Sequence, residues 1–259
     1  MRAASGIATL VVGLLAALAS RGSEPAVIPG GEFTPVLAPG PTTKTVTVRP
    51  YRLDRHPVTN AEFLEFVKAS PAWRRDRVTA LFADRGYLSH WVSPTALGPN
   101  ARPAQPVTQV SWYAARAYCT AHGERLPSWY EWEFASAADE SRRDARQDPA
   151  WRERILGWYA AAATRSLSDV GQTAANLYGV GDLHGLIWEW VDDFAGLMVS
   201  GDSRTQGDPD KLQFCGAGAL STEVRDDYPL LMRLAMLSSL EARYTTSSLG
   251  FRCASDVPP

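Results

Sequence analysis

Beyond Gly157 no hydrophobic period lasts. Glycine, asparagine, aspartate and aromatic residues are scattered from there to the C terminus. A segment without a sustained period of 3.6 or 2 residues does not lay down long helices or wide sheets, so loops must build much of the domain. Helix signals sit earlier. Thr59-Asn60-Ala61-Glu62 is a capping box, in which the hydroxyl meets the third helical N–H and the glutamate reaches back. Phe63, Phe66 and Val67 then give one buried face. Ser111 caps a second helix through Ala114, Ala115, Tyr118 and Cys119. Gly123 suits the left-handed position just past its end. Ser128-Trp129-Tyr130-Glu131, entered from Pro127, is a second capping box. Val46 to Arg52 alternates as a strand does, and Leu249 to Cys253 reads as a terminal strand. Propensity favours a helix over 228–243, with Leu231, Leu234 and Leu237 at spacing three. Residues 84–106, rich in proline and glycine, read as a long ordered loop. Residues 139–154 hold ten charged side chains among sixteen and read as an exposed insertion. The sum is an α+β domain with much irregular structure and no internal repeat.

The composition narrows function mainly by exclusion. At 259 residues and 45% apolar, the chain is too long for a disulfide-stapled miniprotein and too apolar for a disordered one. Its 26 basic and 28 acidic residues leave a net charge of −2 with no basic stripe, so nucleic acid is not the expected partner. Nine tryptophans favour an aromatic-rich core or a stacking surface. The apolar run from Gly6 to Ala19 is shorter than the ~20 residues that span a bilayer, and it ends in Ala17-Leu18-Ala19. This predicts a signal peptide over 1–19, cleavage after Ala19, a linker over 20–26 and a periplasmic or secreted protein without a membrane span in its mature form. In an oxidising compartment Cys119, Cys215 and Cys253 allow one bridge in three pairings, with one thiol left over.

Four stretches recur in a telling order. They are Pro106-Val107 with Val110-Ser111-Trp112 and Ala117-Tyr118-Cys119; Arg125-Leu126-Pro127 with Glu131-Trp132-Glu133-Phe134-Ala135; Tyr178-Gly179 with Asp182 to Trp190; and Leu249-Gly250-Phe251-Arg252-Cys253-Ala254. With Ile28 to Phe33 and Val58 to Phe63 ahead of them, they resemble the formylglycine-generating enzyme (sulfatase-modifying factor) family over residues 27–254, leaving a tail at 255–259. The resemblance implies a single domain with a complex variant of the C-type lectin fold. It also implies a Cys119–Cys253 disulfide. It further implies calcium held by Asp182, Gly185, Ile187 and Glu189, in keeping with the preference of Ca²⁺ for several hard oxygens in a flexible loop. The alternative for that stretch is a packing motif with Glu189 in a salt bridge.

Family members that make formylglycine oxidise a sulfatase cysteine with O₂, using copper on two cysteines near the C terminus. Here that region opens Phe214-Cys215-Gly216-Ala217-Gly218, and no further cysteine precedes Cys253. Soft thiolates select copper(I), so a two-thiolate site is not expected, nor is formylglycine formation. Cys215 is the candidate for thiol chemistry, its alternative being a buried small hydrophobe. Asp182 to Trp190 and Phe214 to Gly218 look most like a branch encoded beside copper nitrite reductase. The role implied is a maturation or modification factor acting on a protein or peptide of a periplasmic metalloenzyme system. A non-catalytic binding module is the alternative. Glu131 and Glu133 read as salt-bridge partners. The four histidines (His56, His90, His122, His184) show no metal-ligand spacing and carry no expected site.

Overall fold

The computed structural model describes residues 23–37, 44–162, 166–196 and 228–258. The expected signal peptide and Cys215 lie outside them. Among the described residues the architecture is α+β, with seven strands of two or three residues and five α-helices. Strands β1 (Ala26–Ile28), β4 (Tyr51–Leu53) and β7 (Ala254–Asp256) form one antiparallel sheet with β4 in the middle. The two ends of the domain thus meet on one strand. Strands β2 (Gly31–Phe33) and β3 (Val46–Val48) form a second antiparallel pair.

Three expectations are corrected here. The strand expected over Val46 to Arg52 is two strands in different sheets, because Pro50 offers no N–H to continue a ladder. The expected tail at 255–259 begins inside β7, where Ser255 pairs with Arg52 and Asp256 with Tyr51. The expected terminal strand at Leu249 to Cys253 is instead β6 (Leu249–Gly250), parallel to β5 (Trp188–Glu189), followed by a buried crossing. In that crossing the carbonyls of Phe251 and Cys253 accept from the N–H groups of Val58 and Asp54.

The helices follow their local signals. Helix α1 (Asn60–Ala69) has the Thr59–Glu62 capping box, and α3 (Trp129–Ser136) has the Ser128–Glu131 box. Helix α2 (Trp112–Ala121) is capped by the Ser111 hydroxyl, which accepts from Ala114 N, and Gly123 follows it at φ +73°. Helix α5 (Tyr228–Ser238) lies within the stretch predicted by propensity. The charged stretch 139–154 is not simply solvated. Helix α4 (Pro149–Ala162) starts within it and buries Trp151 and Ile155 against Ala145. Its charges pair internally, Arg142 with Asp139 and Asp148.

Tryptophan supplies what long sheets do not. Trp91, Trp129, Trp132 and Trp190 are fully buried, and each indole N–H finds an acceptor: Asn60, Glu133, Glu189 and the Val110 carbonyl respectively. A buried indole needs such a partner, so these bonds fix loops as well as rings. The disulfide between Cys119 of α2 and Cys253, with Cα atoms 5.6 Å apart, ties the middle helix to the crossing before β7.

Candidate functional site

The two residues of β5 face two different environments. Glu189 is fully buried and meets Arg252, also fully buried, in a two-pronged ion pair: Nε donates to Oε2 at 2.9 Å and Nη2 to Oε1 at 2.8 Å. Trp132 Nε1 adds a third bond to Oε2 at 2.9 Å. Arg252 spends its remaining donors on the carbonyls of Asp54 and Gly181, both at 3.0 Å. Arg233 of α5 donates to the Glu189 carbonyl and stacks 3.5 Å over the Trp132 ring. Burial brings its guanidinium down to about 10.

Asp182 is committed elsewhere. Held at φ 58°, it accepts from Gly171 N at 2.5 Å and Thr173 Oγ1 at 2.8 Å, while its own N–H donates back to Thr173 Oγ1 at 2.7 Å. It clasps the loop that precedes it. Gly185, at φ +78°, leaves no room for a side chain, since a Cβ would lie 2.4 Å from Trp158 Cβ.

Two of the four residues expected to hold calcium, Asp182 and Glu189, are committed to protein partners. Gly185 and Ile187 line a large cavity, and Asp182 lines a separate small one. Glu189 is sealed against Arg252. A guanidinium supplies the positive charge that the Glu189 carboxylate needs, so the salt-bridge alternative holds for Glu189. Copper(I) on two thiolates does not fit. Three cysteines are present, two form the disulfide, and only Cys215 remains. Glu131 and Glu133 pair with Arg125 and Arg146, as salt-bridge residues should.

Trp188, the other residue of β5, faces the cavity of about 640 Å³. Tyr159 stacks on it at 5.2 Å between ring centroids. Ile187, Leu167 and Met232 add apolar surface, and Gln109, Ser247 and Ser248 add uncharged polar groups. None of the thirteen described residues that line it is Asp, Glu, Lys or Arg. Only His90 and Tyr159 among them can titrate. This is the form of a ligand site: concave, largely apolar, with a few polar groups.

Two histidines matter that the sequence gave no reason to select. His90 is in the cavity wall, with Nδ1 2.8 Å from Gln109 Oε1. Burial, then the nearby Arg75 charge, lowers its pKa against the raising effect of Gln109. His184 is buried, and its Nε2 donates to the Ser136 carbonyl at 2.9 Å. Burial first, with Arg233, Arg252 and Arg154 adding to it, brings its pKa to about 4.

The family model described as the sulfatase-modifying factor enzyme 1-like domain matches residues 14–257. The formylglycine-generating enzyme of Streptomyces coelicolor is 32% identical over 280 residues, which cover 89% of this chain and 88% of that protein. The inactive C-alpha-formylglycine-generating enzyme 2 of Mus musculus is 31% identical over 212 residues, 65% of this chain and 68% of that one. Among solved structures, that of PvdO from Pseudomonas aeruginosa aligns over 89% of this chain and 93% of that one, at 20% identity and a TM-score of 0.49.

Proposed function

Since the chain belongs to the sulfatase-modifying factor enzyme 1-like family, we propose that it handles a protein or peptide in the cavity beside Trp188 and does not generate formylglycine. The cavity carries this reading. It is large enough for a short peptide segment, walled by stacked aromatic rings, and free of fixed charge among its described lining residues. Such a wall suits an extended, uncharged stretch of polypeptide, whose backbone and apolar side chains it would desolvate without stranding an ion. The thiol count supports the negative half, because one free cysteine cannot supply the pair of soft ligands that copper(I) takes.

We further propose that the partner belongs to an exported metalloenzyme system, with this chain as a maturation or modification factor. The apolar N-terminal run with its A-x-A ending supports export. The likeness of Asp182 to Trp190 and Phe214 to Gly218 to the branch beside copper nitrite reductase supports the system. Among the described residues no helix is long and apolar enough to cross a membrane. The second reading, a binding module without chemistry, is favoured by one observation: an inactive relative lies at nearly the same identity as an enzyme.

Purified protein incubated with copper(I), O₂ and a Cys-x-Pro-x-Arg peptide should yield no aldehyde. An aldehyde that disappears in Cys215→Ala would overturn the negative half. Mass spectrometry of the exported protein should find Ser20 first. An intact Met1 on a membrane-bound product would sink the proposed address.

A further inference from the structure

His90 stands in the cavity wall on a loop strained at two supports. Leu88 has φ 47° and Gln109 has φ 54°, a left-handed region uncommon for residues other than glycine. Their backbones are joined, with Leu88 N donating to the Gln109 carbonyl at 2.9 Å, and Gln109 N donating to the Thr246 carbonyl at 2.9 Å. Strain at such places points to a constraint worth holding. Here it sets the Gln109 side chain against His90. Gln109 Oε1 meets Ser89 Oγ at 2.8 Å, His90 N at 3.1 Å and His90 Nδ1 at 2.8 Å.

That geometry decides the tautomer. A backbone N–H only donates, so the amide atom it meets must be the oxygen, not the nitrogen. Nδ1 meets the same oxygen and therefore carries its hydrogen. A neutral imidazole has one N–H, so Nε2 keeps its lone pair. Among the described residues Nε2 has no hydrogen-bond partner.

We infer that His90 is the cavity's hydrogen-bond acceptor, its Nε2 receiving the hydrogen of a hydroxyl or thiol on an uncharged peptide segment. This rests on the reading of the cavity as a peptide site. The lining chooses the ligand class. With no fixed charge among the described lining residues, an ammonium or carboxylate would meet no counter-ion from them, and its desolvation would be uncompensated there. A hydroxyl or thiol gives a lone-pair nitrogen the donor it lacks. The groups around His90 keep the ring neutral. Arg75 donates to the carbonyls of Leu88, Trp91 and Val92, clamping the loop and disfavouring a second cation. Trp91 packs edge-on against the ring, and among the described lining residues Tyr159 is the only other titratable group and no carboxylate is present to stabilise an imidazolium.

Nitrogen NMR of the labelled full chain tests this, with His90 assigned by its loss in His90→Asn. Near neutral pH, Nδ1 should be protonated and Nε2 bare. A protonated Nε2 would overturn the inference while leaving the peptide reading intact. The protein is then titrated with N-acetylserine amide, its O-methyl ether and N-acetylalanine amide. The serine probe should bind roughly two- to tenfold tighter than the other two, the range of one neutral hydrogen bond, and should alone shift Nε2. Equal responses to all three would overturn the acceptor role but not the peptide site. No response to any would overturn both. Gln109→Met should move the hydrogen to Nε2, and a variant that keeps Nδ1–H would remove Gln109 from the argument.

Discussion

Trp188 and Glu189 are neighbours in β5, yet they belong to opposite kinds of region. Successive strand residues point to opposite faces. On the Glu189 face both carboxylate oxygens, the Arg252 donors and the Trp132 indole are all engaged. On the Trp188 face the described lining residues carry no fixed charge, serines 247 and 248 are exposed, and among the described residues His90 Nε2 has no hydrogen-bond partner. The difference separates residues that hold the fold from residues left free to meet something. A carboxylate that is fully satisfied inside the protein is a poor candidate for a ligand site, however well its spacing suits a metal.

The largest effect should come from the link that closes the most chain. The Cys119–Cys253 bridge spans 134 residues, and its loss should remove roughly 4–5 kcal/mol by loop entropy. Denaturant unfolding of Cys119→Ala with Cys253→Ala against the parent would measure it. A loss below about 1 kcal/mol would mean that the ion pair and tryptophan bonds alone hold α2 to the crossing.

Next in size is the ion pair itself. Glu189→Ala leaves Arg252 buried without its counter-charge and should cost about 3–5 kcal/mol in the same measurement. Chelator or added calcium should leave the parent's melting temperature unchanged. A rise in melting temperature with calcium that vanishes in Glu189→Ala would break the comparison, because Glu189 would then open to a metal.

Acid should act through His184. Its folded pKa, about 4, lies below the ordinary 6.5, so the unfolded chain takes up a proton that the native protein refuses. The stability from neutral burial is therefore present above pH 6.5 and is lost as pH falls toward 4, by up to about 3 kcal/mol. Asp193 works with the opposite sign, since burial raises its carboxyl to about 6. The informative quantity is thus the parent's pH slope minus that of His184→Gln. Equal slopes would clear His184 of the effect.

How much of this was legible in the sequence depended on distance along the chain. The capping boxes span four residues, and Thr59, Ser111 and Ser128 cap as their neighbours predict. The disulfide was legible only through the family resemblance, because three cysteines alone permit three pairings. At Glu189 the spacing shows a carboxylate but not what neutralises it. Its partner Arg252 lies 63 residues away. His90 and Gln109, 19 residues apart, meet only because two non-glycine residues take left-handed backbone, and no local pattern announces that. The strand broken at Pro50 was legible in principle, since the missing N–H is written in the residue itself.

The smallest expected effect lies on the cavity side and tests its openness directly. Ser247 lines the cavity, is exposed, and its side chain makes no hydrogen bond among the described residues. Ser247→Ala removes one hydroxyl from a wall that water already reaches. No buried partner is orphaned and no void opens, the two routes by which such a change becomes expensive. Stability should therefore move by less than about 0.5 kcal/mol in denaturant unfolding. The same change on the Glu189 face would not be so mild, because the carboxylate oxygens have buried donors, from Arg252 and Trp132, that their loss would strand. A loss above about 1 kcal/mol for Ser247→Ala would show this wall to be packed rather than open, and the cavity would then belong to the core instead of to a ligand.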